Sequence, residues 1–377
     1  MPFLRTIVPY LSLLLIVTIS GCSSSVKLQD PLAELAVVTK ADLLSGRALF
    51  GPEARHFSLP DDDVMALDDE MITYVDQYLS RNISDDTKVH SLVSLMKGAG
   101  ALGMYYNTGK TYTARQAFHK AEGNCLAFSY LFAALGREKG LKVTFQEVYI
   151  PPQWDEGGDG LFYFNRHVNV KVHLGDSRFT QSYVVDVDQI NYKPHYRQKT
   201  LTDQEAIALY YSNKATDFLK NRDMKNAFLY LVKALKLSPR DGAIWSNLGV
   251  LYRLEGLHDY AEKAYFIALR HDRGLSSVLS NLSVLYEEMG DFQKSNYYFR
   301  LVKDHQMKNP YYRYFQALEA YRAGDYDLAL SHLKAALKRR DDEKRFHQLL
   351  GETYAKLGDE PRAIKAEAKV RELMDIN

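Results

Sequence analysis

Apolar positions along this chain follow three rhythms, and each predicts a different kind of element. From Ile7 to Ile19 they run almost unbroken. Between 61 and 105 they return every three to four residues, the spacing of a helix with one buried face. Helices are expected over 61–80, opened by Asp61-Asp62-Asp63, and over 85–105, where Leu92, Leu95, Met96 and Ala99 keep the spacing. Gly98, Gly100 and Gly103 weaken the second helix or admit a close neighbour. A third helix is expected from Cys125 to about Lys139, with Leu126, Tyr130, Leu131, Ala134 and Leu135 as its stripe and Gly140 at its C-terminal cap. The period then falls to two. Strands are predicted over 142–150, over 167–173 with Val168, Val170 and Val172 on one face, and over 182–188. A helix packed with several strands is an α+β domain.

Beyond about Ala208 the strand rhythm stops and a repeat begins. Ala227, Ala261, Ser295, Ala329 and Ala363 follow one another at a constant step of 34 residues. Other columns keep the same register. Tyr211, Trp245, Leu279, Arg313 and His347 form one, and Phe218, Tyr252, Tyr286, Ala320 and Tyr354 another. Leu248-Gly249 recurs as Leu282-Ser283 and Leu350-Gly351. The fourth unit fits least well. This period and its alternation of small and large positions resemble the tetratricopeptide repeat, with five units over 208–377. Each such hairpin has an apolar face that only a neighbour can cover, so the units stack into an all-α superhelix. The resemblance implies a groove for a protein or peptide ligand; the alternative is that the repeats brace the first domain.

The N-terminal apolar run is too short for a comfortable membrane span of about 20 residues. Behind Arg5 it has the size of a signal-peptide core. It leads into Ile19-Ser20-Gly21-Cys22, which resembles the bacterial lipobox. The resemblance implies that residues 1–21 are a lipoprotein signal peptide, that Cys22 is acylated, and that 22–60 are a lipidated tether and linker. Ser23 follows Cys22 where an inner-membrane retention signal would usually place Asp. The implied location is the bacterial cell envelope, lipid-anchored, at the outer membrane and facing the periplasm. The chain has 377 residues, more than one core usually serves. Its composition, 46% apolar and 25% charged, is that of a globular protein. A net charge of +1 offers no field for a polyanion, which argues against a nucleic-acid partner.

The chain has two cysteines. With Cys22 lipidated, Cys125 is left as a lone thiol without a disulfide partner in an oxidising compartment. Such a thiol is either buried and inert or kept for reactivity. Cys125 opens a helix, where unpaired N–H groups and the positive dipole end favour a thiolate. The same N–H groups could donate to an oxyanion. His167 starts a strand and can point away from the valine face. Asp186 lies on the next strand, where it could orient the imidazole.

The segments Glu122-Gly-Asn-Cys-Leu-Ala-Phe-Ser-Tyr130, Arg166-His-Val-Asn-Val-Lys-Val172 and Tyr183-Val-Val-Asp-Val-Asp188 resemble, in order and spacing, the transglutaminase-like fold of the papain-type cysteine enzymes, over about residues 86–195. The resemblance implies Cys125 as nucleophile, His167 as general base and acid, and Asp186 as the orienting carboxylate. Asp188 shares the strand face; Asp186 is preferred because apolar residues precede it as in the family. It further implies a domain over 61–200 that forms or cleaves amides through a thioester, or has lost activity and serves as a binding fold. Where the family often has an aromatic residue two positions after the histidine, this chain has Asn169. A different channel wall is therefore expected, with hydrolysis favoured over cross-linking.

Other residues carry two readings each. Trp154 on the loop after the first strand could line a substrate cleft or anchor the loop. Asn124 could cap the helix or assist an oxyanion. Arg166 should face away from His167. His167, His173 and His195 lack zinc-ligand spacing, and no phosphate-binding glycine motif is present, so neither metal nor cofactor is expected. Three functional readings follow: a membrane-tethered thiol enzyme acting on peptide or side-chain amides with a repeat-built recognition arm, a non-catalytic envelope adaptor working through its repeats, and a redox-sensing thiol.

Overall fold

The computed structural model describes residues 38–80, 82–98, 101–150, 166–174, 181–187, 192–194, 196–272 and 276–375. Cys22, the apolar run before it, Trp154, Asp188 and His195 lie outside the described residues. The described chain opens with two short helices, α1 (Lys40–Ser45) and α2 (Arg47–Phe50), and a 3-10 turn over Gly51–His56. Thr39 and Asp42 close a capping box on α1. Here the expectation of a linker to residue 60 is corrected. Leu43 is fully buried and its carbonyl accepts the Tyr252 hydroxyl at 2.6 Å. Phe50 meets Phe228 edge-on at 5.7 Å, and Lys225 lies over the Phe57 ring at 4.2 Å. The surface that orders this stretch is supplied some two hundred residues later, so no local rhythm betrays it.

Helix α3 (Asp69–Tyr78) starts later than expected, capped by Asp68, whose Oδ1 accepts from the Met71 amide. Two of the three acids before it do other work. Asp61 pairs with Lys233 at 2.7 Å, and the Asp62 carbonyl accepts from the Tyr211 hydroxyl. Helix α4 (Asp85–Lys97) stops at Gly98 instead of reaching 105. A two-residue strand β1 (Tyr105–Tyr106) then pairs in parallel with β2 (Glu122–Gly123), on either side of α5 (Ala114–Lys120).

Helix α6 (Cys125–Glu138) is buried at every position from Cys125 to Gly136. A helix apolar on all sides must be enclosed by protein. It packs over β3 (Lys142–Val148) and β4 (His167–Leu174). Tyr130 sets its edge on Phe145 at 5.8 Å. Gly136 lets the backbone approach Val143, whose Cγ2 would stand 3.2 Å from a Cβ there. With β5 (Gln181–Val185) and β6 (Gln198–Leu201), these strands form an antiparallel sheet in the order β5-β4-β3-β6. The register sets His167 opposite Val148, Asn169 opposite Gln146 and Val170 opposite Val185. Strand β6 was not anticipated; only Leu201 in it is buried, so it lacks an alternating apolar face.

Among the described residues ten helices follow as five hairpins: α7 (Asp203–Lys220) with α8 (Met224–Leu237), α9 (Gly242–Leu254) with α10 (His258–His271), α11 (Ser276–Glu288) with α12 (Phe292–Lys308), α13 (Pro310–Arg322) with α14 (Tyr326–Leu337), and α15 (Lys344–Lys356) with α16 (Glu360–Asp375). The column Ala227, Ala261, Ser295, Ala329 and Ala363 is buried throughout. Turn chemistry repeats at the same step. Gly256, Gly290, Gly324 and Gly358 all take positive φ, a conformation that costs glycine nothing. Arg222 takes it in the first hairpin, at φ 59°. Asp223, Asp291 and Asp325 cap the second helices of their hairpins. One apolar cluster runs from Val38 through the sheet domain to Val302; smaller clusters around Phe346 and Leu333 hold the last two hairpins.

Candidate active site

The approach to Cys125 is an extended segment packed closely on the helix it enters. A Cβ on Gly123 would stand 2.5 Å from the Cβ of Ala127, so only glycine fits there without movement. Asn124 then caps α6: its Oδ1 accepts from the Ala127 amide at 3.1 Å, and its Nδ2 donates to Thr111 Oγ1 at 2.7 Å. Both ends of the amide are engaged and the side chain is buried. Of the two roles open to Asn124, the geometry gives it the cap, and it does not line a substrate surface. Cys125 is the first residue of the helix.

His167 opens β4, and Asp186 follows the last residue of β5. The ring Nε2 lies 2.8 Å from both carboxylate oxygens of Asp186. A carboxylate only accepts, so Nε2 carries the proton and donates. Cys125 also acts on this ring, and its interaction favours the protonated imidazole. Burial alone would lower the proton affinity of this ring. The bond to Asp186, the bond to Cys125 and the charges of both outweigh burial and push the His167 pKa up to about 10.

Asn169, expected at the wall of a substrate channel, is enclosed instead. It is two residues beyond His167 on the same strand face, and its Nδ2 donates to Asp186 Oδ2 at 2.8 Å. Asp186 is thereby held by His167, by Asn169 and, through its carbonyl, by the Lys97 ammonium at 2.9 Å. Lys97 also lies 5.6 Å from the Phe128 ring of α6. Sequence reasoning missed Lys97: it is a basic residue in the last turn of α4, and nothing local marks it as a neighbour of the third strand. Arg166 faces away from His167, as alternation predicts, and pairs with Glu147 and Asp241. Among the described residues no group of three or more His, Cys, Asp or Glu is placed to hold a metal ion. Cys125, His167 and Asp186 are 9%, 5% and 4% exposed, so the three groups meet under cover.

The fourth and fifth hairpins carry tetratricopeptide repeat sequence. The tetratricopeptide repeat family model matches residues 314–373, which take in most of the fourth unit, the weakest in its columns. Among solved structures, the chain is similar to YrrB, described as a TPR protein with an unusual peptide-binding site. Identity is 18% over 44% of this chain and 86% of that one, with a TM-score of 0.25. A MamA protein matches at 18% identity over 45% of this chain and 92% of that one, with a TM-score of 0.25. MamA from Desulfovibrio magneticus RS-1 matches at 16% identity over 47% of this chain and 98% of that one, with a TM-score of 0.26. No curated protein matches the chain.

Proposed function

We propose that this protein is a cell-envelope thiol enzyme of transglutaminase-like type, tethered through Cys22, whose repeats bind a protein or peptide partner. One observation carries the catalytic half: His167 Nε2 lies 2.8 Å from the Asp186 carboxylate under cover, and Cys125, the first residue of a buried helix, acts on the same ring. In the reaction, the Cys125 sulfur attacks an amide carbonyl and His167 delivers its proton to the departing amine. Water or a second amine then resolves the thioester, with His167 taking up the proton. Asn169 directs its amide to Asp186 and so steadies the orienting carboxylate.

A second reading, a non-catalytic adaptor, has its own support. The tetratricopeptide hairpins occupy almost half of the chain, and the three polar groups are all but closed to solvent. One experiment separates the two. In the chain carrying Cys22→Ser, Cys125 is the only thiol, and its alkylation by iodoacetamide is followed against pH beside a His167→Ala variant. An ordinary thiol titrates near pH ~8.5. Rapid alkylation well below that value, lost in His167→Ala, is the expected result. An ordinary profile indifferent to His167 would overturn the enzyme reading and leave the adaptor.

A further inference from the structure

The residue before His167 has no contact with the thiol yet joins the site to the repeats. The Arg166 guanidinium makes a fork on Glu147, Nε to Oε1 at 2.5 Å and Nη2 to Oε2 at 3.0 Å. Its third nitrogen, Nη1, donates to Asp241 Oδ2 at 2.6 Å. Glu147 precedes Val148, the register partner of His167. Asp241 is the N-cap of α9, the first helix of the second repeat. Its other oxygen, Oδ1, accepts from the amides of Ala243 and Ile244. The side chains of Glu147 and Asp241 are only 8% and 12% exposed. Two carboxylates so enclosed need a shared cation with donors pointing in fixed directions. A planar guanidinium supplies that and an ammonium does not.

One side chain thus fixes three backbones together: the start of the histidine strand, the strand beside it and the N-terminus of a repeat helix. We propose that Arg166 is a positioning residue that transmits the placement of α9 to the His167 ring, so that the reactivity of Cys125 depends on the second repeat. This inference rests on the thiol–histidine reading above. Its consequence is directional. A ligand that moves α9 draws Asp241 Oδ2 with it, and the guanidinium, held at its other edge by Glu147, passes the strain to the backbone one residue before the ring. A displacement of about 1 Å in a reacting group can change a rate by as much as about a hundredfold.

The two oxygens of Asp241 make the test clean. Asp241→Asn keeps a capping oxygen at Oδ1, since asparagine caps as well as aspartate. It replaces Oδ2 by an amide nitrogen that repels the guanidinium. Asp241→Asn, Arg166→Lys and His167→Ala are compared in the full chain carrying Cys22→Ser. Iodoacetamide alkylation against pH is the reactivity readout, and the helical melting midpoint is the structural one. Asp241→Asn is expected to slow alkylation at neutral pH about tenfold and to shift the profile toward that of His167→Ala, with Arg166→Lys alike. A lower midpoint with an unaltered alkylation profile would make Arg166 a staple between domains and overturn the inference while the thiol–histidine reading stands. Alkylation indifferent to His167→Ala would remove that reading and this inference with it. Should Asp241→Asn fail to fold, Arg166→Lys decides by the same two readouts.

Discussion

Two glycines in one column of the repeats should respond to the same substitution with opposite sign. Gly249 on α9 faces the ring of Tyr265 on α10. A Cβ there would stand 2.4 Å from Cε1, 2.6 Å from Cδ1 and 3.0 Å from Cζ. Tyr265 is fully buried, so the ring has nowhere to swing. Overpacking of this kind costs about 1–3 kcal/mol, against the roughly 1 kcal/mol that alanine gains over glycine inside a helix. Gly249→Ala should therefore lose up to about 2 kcal/mol. Gly351 holds the same position three repeats on, where a Cβ would find its nearest neighbours, the Ala363 carbonyl oxygen and the Ala366 Cβ, at 3.5 Å. That is ordinary contact, so Gly351→Ala keeps the propensity gain of about 1 kcal/mol. Circular dichroism melts give the sign directly, at roughly 2–4 °C per kcal/mol for a unit of 150–250 residues. A Gly249→Ala midpoint at or above that of the parent, or a Gly351→Ala midpoint below it, would refute the argument that the α9–α10 approach requires glycine and the α15–α16 approach does not.

Two further predictions concern charge. Asp186→Asn keeps the shape of the side chain but leaves one acceptor oxygen for two donors, His167 Nε2 and Asn169 Nδ2. The His167 pKa should fall from about 10 toward the ordinary 6.5, and Cys125 alkylation should retreat toward the unassisted profile; an unchanged profile would remove Asp186 from the site. Glu343 lies between Arg345 and Tyr311. Burial raises its pKa, but the bonds to these partners outweigh burial and hold the carboxyl below its usual 4.5. A carboxyl depressed in the folded state stabilises above its unfolded pKa, and that contribution disappears as pH falls through the folded value. The parent should therefore melt above Glu343→Gln at neutral pH, and the gap should close as pH falls below the usual carboxylate range; a gap that widens on acidification would contradict the assignment.

What the sequence discloses depends on where the partner of each side chain lies. Val168, Val170 and Val172 alternate because the same sheet face buries all three, so the strand can be read from them. The 34-residue columns are legible because each hairpin packs on a copy of itself. Strand β6 is held by backbone pairing with β3 and leaves no apolar signature. The stretch 38–60 and the acids Asp61 and Asp62 answer to Tyr252, Phe228, Lys233 and Tyr211, far along the chain. The candidate site divides in the same way. Cys125 and His167 announce themselves by opening a helix and a strand. Alternation puts Asn169 on the face of His167 but cannot say that this face is covered. Asp241, 75 residues from Arg166, belongs to another repeating pattern altogether.

The boundary between sheet and repeats shows why the two halves should act as one body near the thiol and separately further out. Sequence rhythm leaves several residues between a domain ending at 200 and repeats starting at 208. In the fold, β6 ends at Leu201, Thr202 closes a capping box with Glu205, and α7 begins at Asp203, so there is no linker to bend. Arg137 on the cysteine helix grips both carboxylate oxygens of Asp203, at 2.7 and 2.8 Å, and Tyr130 donates to the Ala206 carbonyl at 2.7 Å. A continuous apolar cluster then carries the packing through the third hairpin. Close-packed interiors transmit displacement instead of absorbing it. Movement of the first hairpins against the thiol site would have to break these bonds together with that packing. The fourth and fifth hairpins rest on small clusters of their own, around Phe346 and Leu333. In a stacked array each unit touches only its neighbours, so these two can rearrange around a ligand at little cost to the site. On the function proposed above, a partner that controls Cys125 would have to engage the first two repeats, whereas one seated on the last two would be held without disturbing it.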